Sequence, residues 1–181
     1  MKRFVLTGAP GAGKTSILRA LAAAGYAVVP EAATDVEAAR LALEEAERWA
    51  DSVFIDRIAT LQRQRRQAPV GPGVTVQVHD RSAVCTLALA RYLGQPVPPV
   101  LEQEVAWATG DGAFDRRVFF VRLLGFIEAT TVRRISYAES QAFERIHQDA
   151  YRCLGFDLVD VPAGTVAERA AAIGAHLRSW A

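Results

Sequence analysis

Two hydrophobic patterns alternate along this chain. Short runs of consecutive apolar residues, such as F-V-L at 4–6 and V-F-F-V at 118–121, have no polar face. Between them lie longer stretches in which apolar residues return every three or four positions. The first pattern suits a strand covered on both sides, the second an amphipathic helix. Strands are predicted at Arg3–Thr7, Tyr26–Pro30, Val74–His79, Arg117–Arg122 and Phe156–Val161. Helices are predicted from Gly13 to Ala24 and over Asp35–Trp49, Ser52–Ala68, Ser82–Leu93, Val100–Ala108 and Tyr137–Leu154. A last helix runs from a Thr165 cap to about Ser179. Gly25 and Gly155 mark helix ends, and Asp35 and Asp51 are candidate caps. The segments P-V-G-P-G at 69–73 and G-D-G at 110–112 read as turns, and Gly125–Ile135 as a loop.

Strands that alternate with helices imply an α/β domain: a parallel sheet with helices on both faces, here a single domain over residues 1–181. Ligands of such a sheet bind beyond the carboxyl ends of its strands. The polar residues that follow strands therefore converge there: Glu31 after the second, Asp80 and Arg81 after the third, and the segment after the fourth.

The turn after the first strand carries the most specific chemistry. Residues 8–15 read G-A-P-G-A-G-K-T, a complete GxxxxGK[ST] phosphate-binding loop between a strand and a helix. Gly8, Gly11 and Gly13, with Ala9, Pro10 and Ala12 between them, let backbone N–H groups turn toward phosphate oxygens. Lys14 reaches the β and γ phosphates, and the Thr15 hydroxyl is placed for Mg²⁺, with Ser16 beside it on the helix.

Composition narrows the class. Hydrophobic residues make up 51% and charged residues 23%, and no apolar stretch reaches a membrane-spanning length. The first strand runs straight into the loop, which leaves no room for a signal peptide. Cys85 and Cys153 read as isolated buried hydrophobes, so a cytoplasmic setting is expected. Net charge is +1, from 21 basic and 20 acidic residues, so no bulk attraction to nucleic acid follows. Arg63, Arg65 and Arg66 form a local basic run without interleaved aromatics, read as a solvated helix face rather than an RNA or partner patch.

Asp80 follows the third strand directly, where a phosphate-loop protein needs an acidic partner for Mg²⁺; the competing reading is a helix cap, for which Ser82 serves equally well. Arg81 can fork to phosphoryl or substrate oxygens. Glu31 follows Pro30 at an abrupt strand exit and can accept the proton of a substrate hydroxyl, whereas Thr34 or Asp35 is the better cap for the next helix. Asp35 is a weaker candidate for substrate contact. Arg133 and Arg134 lie where a phosphotransferase lid, about 125–136, would close over the transferring group. Arg116 and Arg117 precede the fourth strand and should face away from the site, while Arg122 leaves it toward the site. His79 is expected in packing. The wide spacing of His79, His147 and His176 makes no zinc site, and Ser82 and Ser136 have no recognisable triad partners.

With these segments in place, F-V-L-T-G-A-P-G-A-G-K-T-S, V-V-P-E-A-A-T-D, V-H-D-R-S, A-L-A-R-Y-L-G, R-R-I-S-Y-A-E-S-Q-A-F-E-R-I-H and G-F-D-L-V-D-V-P together resemble a known family. It is the small P-loop ATPase and kinase-like family, AAA_28-type, that includes the ribosylnicotinamide-kinase domain of bacterial NAD-regulating proteins; more distantly the chain resembles deoxynucleoside kinases. The resemblance spans nearly the whole chain. It implies a P-loop NTPase three-layer sandwich with a parallel five-stranded sheet of order 2-3-1-4-5, nucleoside-kinase-like with a lid. It further implies that Glu31 is the base, that Asp80 and Arg81 handle magnesium and the reacting end of the substrate, and that Arg133 and Arg134 are lid arginines. Pro162 and Ala163, in V-P-A-G-T, would lie against the nucleotide base. The segment after the fourth strand, V-R-L-L-G-F-I-E-A-T-T, offers only the carboxylate of Glu128 where relatives often carry an acidic or Asp-Pro stretch, so nicotinamide riboside does not follow as acceptor.

The expected function is transfer of the γ-phosphoryl of Mg·ATP to a hydroxyl of a small molecule, a nucleoside or related metabolite. Lys14, Glu31, Asp80, Arg81, Arg133 and Arg134 would carry the reaction. ATP is expected rather than GTP, since no N-K-x-D-like sequence is present. The alternatives are a regulatory ATPase switch with a partner surface at Arg63–Arg66, and an antibiotic-modifying kinase. Expected partners are nucleotide and a small acceptor, with neither membrane nor nucleic acid; the oligomeric state is open, a homodimer being one option.

Overall fold

The structure, a computed structural model, describes residues 1–42, 52–124 and 137–180. Five strands, β1 (Lys2–Thr7), β2 (Ala27–Val29), β3 (Val76–Asp80), β4 (Arg117–Val121) and β5 (Asp157–Val161), form one parallel sheet of order β2-β3-β1-β4-β5. The helices among the described residues are α1 (Lys14–Ala23), α2 (Ala32–Ala42), α3 (Ser52–Gln67), α4 (Ala83–Tyr92), α5 (Pro99–Thr109), α6 (Tyr137–Cys153) and α7 (Val166–Trp180).

The alternation of side chains along each strand sorts the core into two layers. Phe4 and Leu6 of β1, with Val76 and Val78 of β3 and Phe119 and Val121 of β4, pack against Ile17, Leu18 and Leu21 of α1 and Ile173 and Leu177 of α7. Val5 and Val118 point the other way, against Val84, Cys85 and Ala88 of α4 and Ala150 and Tyr151 of α6. Because both faces are covered, residues 4–6 of β1 and 118–121 of β4 read as unbroken apolar runs, whereas β3 buries Gln77, His79 and Asp80 beside its valines.

The element series agrees with that read from the sequence pattern and the sheet order with that implied by the resemblance, and most boundaries shift by one to three residues. Gly25 and Gly155 stand just past the C-terminal ends of α1 and α6 with φ of 91° and 77°. Thr165 and Glu168 form a reciprocal capping box before α7: the Glu168 N–H donates to Thr165 Oγ1 at 3.2 Å and the Thr165 N–H to Glu168 Oε2 at 2.9 Å. Several expectations change. Asp35 is not a cap: α2 begins at Ala32, directly after Glu31, so Asp35 falls in its first turn. Cys153 is exposed and not buried; only Cys85 is buried. The arginine run of α3 is not a solvated face. Arg63 and Arg66 both donate to the buried Glu104 carboxylate of α5, Arg66 also lies 4.2 Å from the Trp107 ring, and Arg65 pairs with Asp35. These pairs tie α3 to α5 and α2, and the guanidiniums hold Glu104 below the usual carboxylate range against the opposing effect of its burial. Asp51, the lid region 125–136 and the predicted loop at Gly125–Ile135 lie outside the described residues.

Candidate active site

The parallel register brings the strand ends together. Leu6 of β1 lies opposite Asp80 of β3, and Val29 of β2 lies opposite His79, so the phosphate loop, Glu31 and the Asp80–Arg81 pair meet at one edge of the sheet. The loop itself is shaped by glycine. At Gly8 the backbone has φ 134°, and a Cβ there would sit 2.3 Å from the Val121 carbonyl oxygen, so any side chain would push β1 and β4 apart. Gly13, with φ 85°, caps α1 in the left-handed region and is followed by Lys14, the first residue of the helix. Thr15 and Ser16 are exposed in the first turn of α1.

Lys14 is buried, and its ammonium donates to the Ala9 carbonyl at 2.9 Å, across the loop it follows. Burial, reinforced by the nearby Arg81 charge, lowers its pKa to about 8 despite the opposing attraction of Asp80 and Glu31. Asp80 is only 4% exposed, and neither of its carboxylate oxygens has a hydrogen-bond partner. Its pKa accordingly rises to about 6, with burial as the first cause, tempered by Lys14. Ser82, not Asp80, caps α4, by accepting from the Val84 N–H. That removes the structural role that competed with Asp80 as a ligand.

Arg81 adopts φ 72°, the single positive-φ residue other than glycine among those described. A left-handed backbone at an arginine costs about 1–3 kcal/mol and turns the chain sharply away from β3. The guanidinium is buried between two partners: its Nε donates to Glu31, and its Nη1 donates to His147 Nε2 at 3.0 Å. The His147 Nδ1–H donates to the Phe143 carbonyl at 3.0 Å, which assigns the neutral tautomer with Nε2 as acceptor. Burial, then the Arg81 charge, holds His147 well below its ordinary pKa. Burial alone would raise Glu31, but Arg81 and Lys14, with a 2.8 Å bond from the Thr34 hydroxyl, outweigh it and bring the carboxyl to about 2. The two site carboxylates are thus pushed in opposite directions, Glu31 firmly ionised and Asp80 poised near neutrality.

Behind this charged cluster lies a buried polar chain. Tyr151 shares hydrogen bonds with Ser82 at 2.8 Å and with Cys85 at 3.1 Å, and Cys85 contacts Thr7 Oγ1 at 3.1 Å. It locks α6 and α4 to the end of β1. Beside Asp80 and Arg81 opens a cleft of about 380 Å³, counting space open to solvent, with Gln62, Trp107, Phe114, Arg65 and Arg66 among its walls.

Two residues of the site were not picked out from the sequence. His147 is 66 positions from Arg81, and no local pattern on α6 distinguishes it from a core histidine. Arg169, in α7, donates to the Ala12 carbonyl of the phosphate loop at 2.8 Å and to the Arg122 carbonyl at 2.8 Å. Its signal was a charged residue on the otherwise apolar face of a helix packed on the sheet. Other candidates stand apart from the cluster. Asp35 is held by Arg65, and Arg122 pairs with Asp160 at 2.8 Å and Glu144 at 3.2 Å. Arg116 and Arg117 lie at the opposite end of the sheet, Arg117 paired with Asp115 and Arg116 donating to the Thr109 carbonyl. His79 packs edge-on against Phe114, its Nε2 3.0 Å from Gln77 Oε1. Pro162 and Ala163 are exposed just after β5, and Arg133 and Arg134 lie outside the described residues.

A five-stranded parallel sheet of this order, with a glycine-rich loop after β1 and an acid–arginine pair after β3, defines a P-loop protein of nucleoside- and nucleotide-kinase fold. The chain belongs to the AAA_28 family, an AAA domain, which matches residues 3–169. Similar folds are seen in deoxyadenosine kinase from M. mycoides with bound dATP, at 15% identity, covering 98% of this chain and 100% of that one with a TM-score of 0.59. Thymidylate kinase from Candida albicans is similar too, at 12% identity, covering 98% and 91% of the two chains with a TM-score of 0.58. No curated protein matches the sequence. Among the described residues no helix is long and apolar enough to cross a membrane.

Proposed function

We propose that the protein is an ATP-dependent phosphotransferase that moves a γ-phosphoryl group to a hydroxyl of a small molecule, a nucleoside or a metabolite of similar size. The observation that carries this reading is the pair of carboxylates with opposite environments beside Lys14: Glu31 ionised by Arg81, Asp80 buried with both oxygens unpartnered, at the edge of a cleft. A buried carboxylate whose two oxygens have no hydrogen-bond partner suits a cation ligand, so Asp80, directly or through water, and Thr15 would hold Mg²⁺. The ion would supply charge neutralisation on the phosphate oxygens.

Lys14 and the backbone N–H groups of the phosphate loop, Pro10 excepted, would bind the donor phosphates, and Pro162 and Ala163 would face the donor base. Glu31 is too weak a base to take a proton early, because Arg81 stabilises its ionised form. It would instead accept a hydrogen bond from the acceptor hydroxyl, orienting it in line and taking its proton late, as a loose phosphoryl-transfer transition state allows. Arg81 would remain near the reacting oxygens, while Arg133 and Arg134 are candidates for charge stabilisation. Trp107, Phe114 and the Gln62 amide line the cleft and suit a planar ring with polar edges. The commitment of Arg63, Arg65 and Arg66 to internal ion pairs weakens the case for a regulatory switch docking there.

The test is Mg·ATP consumption against pooled nucleosides, nicotinamide riboside, sugars and aminoglycosides, with products identified by mass spectrometry. A phosphorylated acceptor formed well above basal hydrolysis supports the reading and names the acceptor class, an aminoglycoside product selecting the antibiotic-modifying alternative. Substrate-independent hydrolysis alone selects the regulatory ATPase. Glu31→Gln should lower transfer by about 10²-fold while nucleotide affinity and basal hydrolysis stay within a few-fold. Transfer that survives the substitution removes Glu31 from the chemistry.

A further inference from the structure

We propose that Arg169 is a positioning residue of the phosphate loop, holding the Ala12–Gly13 peptide in the orientation that binds anions and placing a fixed positive charge behind it. The inference rests on the nucleotide-binding part of the function proposed above and adds a residue that no motif contains.

Arg169 is 3% exposed, and its two terminal nitrogens are both spent on backbone carbonyls, those of Ala12 and Arg122. Its Nε is buried without a partner, and no carboxylate pairs with it among the described residues. A buried guanidinium satisfied by carbonyls alone is an expensive arrangement for stability, since two neutral acceptors compensate a desolvated charge poorly. Burial lowers its pKa for the same reason. An apolar residue would pack this helix face at lower cost, so the charge calls for a separate explanation.

The geometry supplies one. A trans peptide points its C=O and the following N–H in opposite directions. When Arg169 draws the Ala12 oxygen toward α7, the Gly13 N–H of the same peptide turns to the other side, toward the concavity that the loop closes around. Gly13 completes the arrangement. Its φ is 85°, and a Cβ there would come within 3.2 Å of Arg169 Nη1, so glycine both adopts the required backbone and makes room for the guanidinium. The second carbonyl, that of Arg122, lies just beyond β4, and its own N–H donates to the Val161 carbonyl of β5 at 3.0 Å. Arg169 therefore fastens the loop to the exits of β4 and β5.

The experiment compares the wild-type protein with Arg169→Met, Arg169→Lys and Ile173→Ala. Ile173 sits one turn further along α7 in the core and serves as the destabilisation control. Dissociation constants are measured at low temperature, with each variant folded by circular dichroism, for mant-ATP and for tripolyphosphate by competition. The Gly13 amide is followed by 15N–1H spectroscopy. Arg169→Met should weaken both anions by about tenfold or more and shift the Gly13 amide. Arg169→Lys, which keeps the charge but replaces two separate nitrogens in a planar fork by one on a shorter reach, should fall between Met and wild type. Ile173→Ala should lower Tm with affinity unchanged. Affinities of Arg169→Met within about twofold of wild type, or an equal loss in Ile173→Ala, overturn the role of Arg169 while leaving nucleotide binding intact. A wild-type protein that binds neither anion overturns the nucleotide reading and this inference with it.

Discussion

Asp80→Asn should make the protein more stable and less active at once. In metal-free buffer at pH 7.5 the substitution replaces a buried carboxylate, whose oxygens have no partner, by a neutral group of the same shape. The sign follows from its pKa. Asp80 sits at about 6 in the folded protein against 3.8 ordinarily, so the folded state holds this proton more tightly than the unfolded chain. The group's contribution to stability is complete below about pH 4 and is lost as pH rises to about 6; above that the cost of burying the charge is fully expressed. The cost is at most about 3 kcal/mol at 1.4 kcal/mol per pKa unit, and each kcal/mol recovered should raise Tm by about 2–4 °C. Thermal melts in EDTA at pH 4 and pH 7.5 test this: Asn should stabilise at the higher pH and make little difference at the lower. The same variant should lose about 10²-fold or more of Mg-dependent turnover, the loss expected of a carboxylate that holds the cation as proposed above. An Asp80→Asn protein that is destabilised in EDTA yet keeps its turnover would show Asp80 to be structural.

Lys14 carries the second large effect. Burial and the Arg81 charge hold its ammonium at about 8, so in the free protein it is substantially deprotonated at pH 8.5. Triphosphate bound beside Lys14 should restore the charge, since an anion near a lysine favours its protonated form. Binding at pH 8.5 should therefore draw in up to about one proton, and affinity should decline as pH rises above about 8. At pH 6.5 lysine is already charged, and this uptake should vanish. Titration calorimetry in buffers of different ionisation enthalpy measures it directly. Lys14→Met should abolish the uptake and weaken ATP by about 10²–10³-fold, the scale of a desolvated charge pair with one partner removed. Uptake that persists in Lys14→Met belongs to another group; affinity that persists would separate Lys14 from the phosphates altogether.

Glu31, Arg81 and His147 show how local charge and tertiary placement combine. Glu31 could be singled out in the chain as a carboxylate at an abrupt strand exit, but its ionisation state could not. That state depends on Arg81, 50 residues away, whose left-handed backbone and buried guanidinium appear only when β2 and β3 pair. His147, from α6, then fixes the other side of the same guanidinium. The arginine run of α3 shows the reverse: on sequence it reads as a polar helix face, and only the packing of α5 brings Glu104 and Trp107 against it.

What the chain determined by itself is what depends on neighbours in sequence. The apolar runs and their three-to-four-residue counterparts specify β1 to β5 and the helices between them. Glycines at 25 and 155 stop helices because few other residues take positive φ, and G-A-P-G-A-G-K-T carries the spacing of a phosphate-binding turn between β1 and α1. Tertiary structure decided which of two equivalent candidates acts, with Ser82 capping α4 and Asp80 left without a hydrogen bond. It also decided the pairings across long separations: Arg81 with Glu31 and His147, and Arg169 with a loop 157 residues before it. The physical reason is that burial and electrostatic neighbourhood are properties of packed surfaces. A local motif can form a backbone shape, but the charge state and partners of the side chains around it are set by the elements that fold against it.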